Sequence, residues 1–85
     1  MKLEIFFSPV CPYCPLARKL VQDVAARYPQ VEVYEVNTYT EEGIERGMSM
    51  NVMAVPTVAI NDAIKLVGWP FTEDDLVKQI ELSKE

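Results

Sequence analysis

Histidine is absent from the sequence, which removes Ser/His/Asp and Cys/His catalysis and every His-based metal site at once. Cysteine occurs only twice, at positions 11 and 14, too close together to tie distant loops, so no disulfide framework staples the chain. Basic residues are scarce: eight Lys and Arg stand against thirteen Asp and Glu, for a net charge of −5. That balance argues against sequence-independent nucleic-acid binding, which needs clustered cations to neutralise phosphates, and against a polybasic membrane patch. Long hydrophobic runs are missing too. The longest is a few residues, far short of the roughly 20 that span a bilayer. The first residues include Lys2 and Glu4, with no long apolar region or small-residue cleavage site, so a cytoplasmic location is expected. With three glycines, six prolines, 49% apolar and 25% charged residues, the composition is neither collagen-like nor disordered. A length of 85 residues leaves room for one domain, residues 1–85.

What is present reads as alternating strands and helices. Leu3-Glu4-Ile5-Phe6-Phe7 is a β-type run ending at about Ser8. From Pro12 to Tyr28, Leu16, Leu20 and Val24 recur at i+4 with Ala17, Val21 and Ala25 widening the stripe, which predicts a helix of about four turns closed by Pro29. Val31 to Val36 forms a second strand, and Thr40-Glu41-Glu42 opens a second helix, weakened by Gly43 and ended near Gly47. Met48 to Ala54 reads as an irregular loop. Pro56 suits the first position of a strand running Thr57 to Ile60, Asn61-Asp62 suits a hairpin turn, and Ala63 to Val67 returns, stopped by Gly68. Thr72 and Asp75 form a capping pair ahead of Leu76, Val77 and Ile80. The order is βαβαββα. A right-handed crossover makes the first two strands parallel and the two-residue turn makes the last two antiparallel, giving a mixed four-stranded sheet flanked by three helices.

Cys11-Pro12-Tyr13-Cys14 falls where a strand gives way to the long helix. Unpaired backbone N–H groups and the positive end of the macrodipole favour an anion there, and a thiolate is such an anion. Cys11 is therefore read as the attacking thiol, and Cys14, one turn on, as the thiol that resolves a mixed disulfide. Pro12 stiffens the turn between them. Pro15 removes one further N–H, which matters if the helix N-cap is Cys11 and not if it is Pro12. Two blander readings exist. A self-contained zinc or iron–sulfur site needs ligands that this chain lacks, although a cluster shared between two chains stays open, and both cysteines could be inert core residues. Their position beside prolines at a strand-to-helix junction favours a redox dithiol, with no metal and no cofactor beyond a Cys11–Cys14 disulfide.

The strand Ile5-Phe6-Phe7, the Cys11-Pro12-Tyr13-Cys14 motif opening a helix, Val55-Pro56-Thr57 before a strand, and Gly68 after the hairpin together resemble the thioredoxin/glutaredoxin superfamily. The resemblance covers almost the whole chain. The Pro12-Tyr13 dipeptide is similar to that of glutaredoxins, while the compact length and the stretch from Val55 to Gly68-Trp69 look like the small glutaredoxin-like thioredoxins of archaea and bacteria. The resemblance implies that Val55-Pro56 is a cis peptide against the sulfurs and that Val55, Pro56, Thr57, Gly68 and Trp69 bind substrate. It also implies a monomer acting on disulfide-containing proteins.

Departures from the family pattern are informative. Thioredoxins hold a Trp before the first Cys and a buried acid in the preceding strand, where this chain has Val10 and Ile5, so no carboxylate is in place to take the proton of Cys14. Glutathione-using glutaredoxins hold a basic residue three before the first Cys and a Gly-Gly pair, where this chain has Ser8 and Gly68-Trp69. A thioredoxin-reductase-type flavoenzyme is therefore the expected electron donor and glutathione the weaker one, though Thr72, Glu73 and Asp74 could meet an ammonium group. The expected function is protein disulfide reduction. The alternatives are a glutathione-dependent glutaredoxin, an iron–sulfur carrier dimerising through Cys11, or an adaptor whose dithiol is incidental. Met48, Met50 and Met53 are read as loop or core filling, with an apolar partner rim as the alternative. Trp69 and Phe71 either flank the groove or cover the last helix. Arg18 and Lys19 are read as a solvated face, and Glu41, Glu42 and Glu45 as the wet side of a helix.

Overall fold

A computed structural model describes residues 1–84; Glu85, the last residue of the expected domain, lies outside the described residues. The elements run β1 (Lys2–Phe7), α1 (Cys14–Ala25), β2 (Glu32–Asn37), α2 (Glu41–Ser49), β3 (Thr57–Ile60), β4 (Ala63–Val67) and α3 (Glu73–Ser83). This is the βαβαββα thioredoxin-like order, with a four-stranded sheet arranged β2-β1-β3-β4. β1 pairs in parallel with β2 and antiparallel with β3, and β3 pairs antiparallel with β4. All four middle residues of β1 are buried, as befits a strand covered on both faces.

Alternation along β1 and β3 sorts the two faces. Leu3, Ile5, Val58 and Ile60 meet Ala17, Val21 and Val24 of α1 and Leu76 and Ile80 of α3 in the main core. The other face carries Glu4, Phe6, Thr57 and Ala59, also buried. There Arg46 of α2 donates from Nε and Nη2 to both Glu4 carboxylate oxygens at 2.8 and 2.7 Å, and from Nη2 to Asp62 in the β3–β4 turn. A carboxylate can sit in this interior because the guanidinium fork satisfies it.

Local chemistry explains the joints. Asn61 and Asp62 both take positive φ, 50° and 67°, as a two-residue hairpin turn requires. Lys65 is the extra residue of a bulge between the Val58–Leu66 and Ala59–Ile64 pairs. Thr72 and Asp75 make a reciprocal capping box at the start of α3.

Three helix boundaries differ from the sequence reading. One is the end of α1, which stops at Ala25 and not at Tyr28 because the N–H groups of Arg27 and Tyr28 turn to the carbonyls three residues back, of Val24 and Ala25. α1 starts at Cys14 with Tyr13 as its cap and is 12 residues long, because the backbone around Cys11 is still turning. α2 passes Gly47. It is stopped by Asn51 in the left-handed region (φ 57°), whose N–H donates to Met48 O at 3.2 Å while Val52 N–H donates to Gly47 O at 2.8 Å. These two bonds form a Schellman motif with asparagine in the place usually held by glycine.

Candidate active site

Beyond β1 the chain folds back on itself: Cys11 N–H donates to Ser8 O at 3.2 Å and Cys14 N–H to Cys11 O at 3.4 Å. Ser8 is buried and its Oγ accepts from Val10 N–H at 3.2 Å, so the turn is pinned from inside. The N-cap of α1 is thus neither Cys11 nor Pro12. Pro15 falls within the first two helical positions, where a missing N–H leaves no helical carbonyl unpaired, and the Cys11 carbonyl is served by Cys14. No side chain caps this helix and no acidic residue lies in its first turn, so its positive end is left to the sulfurs.

Both cysteines are free thiols, and their environments differ. Cys11 is half-buried, while Cys14 is 1% exposed. Burial pushes the Cys14 thiol from its ordinary 9.0 up to about 11, helped by its hydrogen bond with Cys11. The Ser8 backbone N–H and the charge of Arg18 pull it the other way.

The second wall comes from the segment before β3. Cys11 Sγ lies 4.0 Å from Val55 O. The Val55–Pro56 and Trp69–Pro70 peptide bonds are cis. Thr57 Oγ1 donates to Ala54 O at 2.6 Å and Gly68 N–H to Pro56 O at 2.7 Å, so this loop is held at both ends. Gly68 has φ +78°, which explains glycine there. Of the residues singled out in the sequence, Cys11, Cys14 and Val55 come together directly, and Pro56, Thr57 and Gly68 hold the loop. Pro12 and Tyr13 are exposed at the turn. Trp69 packs edge-on against Phe71 at 5.1 Å, and Phe71 is buried in the core cluster that includes Leu76 and Ile80 of α3.

One reading is corrected. Met53 lies in a loop as read and Met50 is the half-buried C-cap of α2, but Met48 and Met53 do not fill the core: they are 74% and 90% exposed and line a hollow of about 280 Å³ with Ile44, Val52 and Val55. Arg18 keeps a side chain that is 37% exposed, as a solvated face implies, but its charge is paired. Its guanidinium lies 4.1 Å from the Phe7 ring centroid and donates to Glu35 at 2.7 Å. Glu35 is a residue that sequence reasoning missed, and with it the pairing of Arg18. The i+4 spacing from Cys14 was visible, but the partner on β2 was not.

Among the described residues no helix is long and apolar enough to cross a membrane, and no three His, Cys, Asp or Glu side chains are grouped to hold a metal ion. A buried and a half-buried thiol at the mouth of this fold define a thioredoxin-fold thiol–disulfide oxidoreductase. The chain belongs to the thioredoxin domain family, whose model matches residues 1–81. It is 40% identical over 82 residues to a thioredoxin of Methanocaldococcus jannaschii, covering 95% of this chain and 93% of that one. A probable thioredoxin of Archaeoglobus fulgidus is 35% identical over 68 residues, 80% of this chain and 74% of that one. In fold the chain is similar to thioredoxin O2 of Arabidopsis thaliana, with a TM-score of 0.79 and 23% identity over 99% of this chain and 75% of that one. It is also similar to thioredoxin 1 of Thermosipho africanus, with a TM-score of 0.73 and 20% identity over 98% of each chain.

Proposed function

We propose that this protein reduces disulfides in other proteins, with Cys11 as attacking thiol and Cys14 as resolving thiol. The observation that carries the reading is the unequal placement of the two sulfurs: Cys11 is reachable at the turn, and Cys14 is sealed behind it and held protonated. The Cys11 thiolate attacks one sulfur of the substrate disulfide, forming a mixed disulfide and releasing the first substrate thiolate. Cys14 then attacks Cys11 Sγ. The Cys11–Cys14 bond forms, the second substrate sulfur leaves with the electron pair, and it takes up the proton that Cys14 gives up. Two electrons have passed to the substrate.

Val55 presents backbone beside Cys11 for an extended substrate segment, and the apolar hollow edged by Met48 and Met53 accepts side chains next to it. Pro12 and Tyr13 shape the exposed turn, while Thr57 and Gly68 serve the site by fixing the loop. Trp69 supports the fold beneath it. The protein works as a monomer in the cytoplasm, with a flavoenzyme of the thioredoxin-reductase type as donor. Support for the donor comes from Ser8, a small buried residue where a glutathione-using relative would hold a cation, and from the likeness to chains called thioredoxin. The test is insulin reduction driven by a thioredoxin reductase, beside turnover of a glutathione mixed disulfide with glutathione and its reductase. Activity in the first and little in the second is the expected result. The opposite pattern would make this protein a glutaredoxin in function.

A further inference from the structure

The resolving step poses a physical problem that the cysteines do not solve alone. Cys14 must lose its proton inside the protein, and the strand position where thioredoxins hold a buried acid carries Ile5, fully buried and apolar. One turn beyond Cys14 on the same face of α1 stands Arg18. Its guanidinium is stacked at 4.1 Å on Phe7, at the end of β1, and clamped by Glu35 Oε1 at 2.7 Å. Gln22 Nε2 donates to Glu35 Oε2 at 3.2 Å and fixes the carboxylate. Phe7 and Glu35 thus hold the guanidinium of a residue one helical turn from Cys14, with Gln22 fixing Glu35, and the buried Arg18 Nε–H has no acceptor among the protein's groups.

We propose that Arg18, oriented by Glu35 and Phe7, is a positioning residue for the resolving step: its charge balances the negative charge on Cys14 when that thiol ionises to attack Cys11. The proposal rests on the assignment of Cys14 as the resolving thiol. The groups that act on Cys14 are Cys11 from the turn, Arg18 from its own helix and the Ser8 N–H from the end of β1; Arg18 and Cys11 are the charged or titratable ones. Arg18 favours the thiolate, and the first two sources of opposition are burial and the Cys11 thiol. Chemically the step is Cys14–SH plus Cys11–S–S–R giving the Cys11–Cys14 disulfide plus R–SH. Arg18 exchanges no atom and no electron. It lowers the free energy of the separated charge while the proton is away from Cys14.

The experiment is stopped-flow reaction of the reduced protein with the dinitro aryl disulfide that releases a coloured thiolate. The first equivalent reports attack by Cys11 and the second reports resolution by Cys14. Wild type, Arg18→Met, Arg18→Gln and Arg18→Lys are compared from pH 6 to 10, with Cys14→Ser as reference. A half-screened cation one turn away is expected to be worth about 0.5–1 pH unit, so the second phase of Arg18→Met and Arg18→Gln should slow about three- to tenfold at pH 7 and its profile move to higher pH. The first phase should stay within about twofold, and Arg18→Lys should recover most of the second. Superimposable second-phase profiles for wild type and Arg18→Gln would overturn the proposal, as would equal slowing of both phases, which marks a structural role. Persistence of the second phase in Cys14→Ser would instead overturn the resolving-thiol assignment itself. These failures are distinguishable.

Discussion

Cys11 Sγ stands 4.0 Å from the carbonyl oxygen of Val55, a residue 44 positions further along the chain. The contact is long for a hydrogen bond, so it adds little stability, but it puts an open stretch of backbone next to the reachable sulfur. A disulfide entering this site meets a thiol and a strand-like edge together. Cys14, by contrast, is almost fully buried.

The first prediction follows from that inequality. Limiting iodoacetamide at pH 7 should label Cys11 well before Cys14, and Cys14→Ser should accumulate mixed disulfides on Cys11 that a reductant dissolves. Peptide mapping and non-reducing gels read both outcomes. Preferential labelling of Cys14, or full multi-turnover activity in Cys14→Ser, would reverse the roles.

Stability should depend on pH and on redox state together. Burial holds the Cys14 thiol at about 11 in the folded protein, against 9.0 when unfolded. Between those values the folded state binds more protons than the unfolded one, so this contribution is fully present below pH 9 and is lost as pH rises toward 11. Tyr28 and Tyr34, whose hydroxyls are also held above their ordinary value, act in the same direction in either redox state. Urea titrations of the reduced protein should therefore lose more stability between pH 9 and 11 than those of the oxidised protein, whose Cys14 cannot titrate. Parallel curves would count against the buried-thiol assignment.

The Glu4–Arg46 pair should be costly to break from the arginine side. Glu4 is 3% exposed and accepts two bonds from Arg46, leaving only Lys2 at 3.9 Å if that residue is removed. Arg46→Ala is expected to cost about 3 kcal/mol of unfolding free energy, while the double change with Glu4→Gln should recover part of it. Chemical denaturation of the four proteins of this cycle is the measurement, and a loss below about 1 kcal/mol would show that water satisfies Glu4.

Two glycines of the same helix should respond oppositely to alanine. A Cβ at Gly43 would fall 1.7 Å from Asn37 O, a backbone atom that cannot step aside, whereas at Gly47 its nearest neighbour is Val52 Cβ at an ordinary 3.9 Å. Gly43→Ala should destabilise by several kcal/mol, above the usual range of roughly 1–3 for overpacking, while Gly47→Ala should stabilise by about 0.5–1 kcal/mol. Thermal melts decide it; equal effects at both sites would remove the close-approach argument.

Much of this molecule was legible from residues near one another in the chain. The Thr72–Asp75 capping box, the Asn61-Asp62 turn and the Cys11-Pro12-Tyr13-Cys14 motif act over a few residues, so sequence alone determined where α3 begins, where the hairpin reverses and where a dithiol meets a helix. The element order followed from periodicity for the same reason. Boundaries were less legible when a competing local bond decided them. α1 waits until Cys14 because the Cys11 carbonyl and N–H are engaged in the turn, and α2 outlasts Gly47 because Asn51 supplies the left-handed stop.

Only the tertiary structure decided how the two thiols differ and what surrounds them. Identical side chains one turn apart become unlike because the fold buries Cys14 to 1% exposure and leaves Cys11 half-buried beside Val55. Arg18 is a surface charge that is also clamped, because β2 brings Glu35 to it across 17 residues. Burial and the pairing of distant charges are set by which elements lie side by side, and the electrostatic energy of a group depends on its surroundings in space. Spacing along the chain carries no record of either.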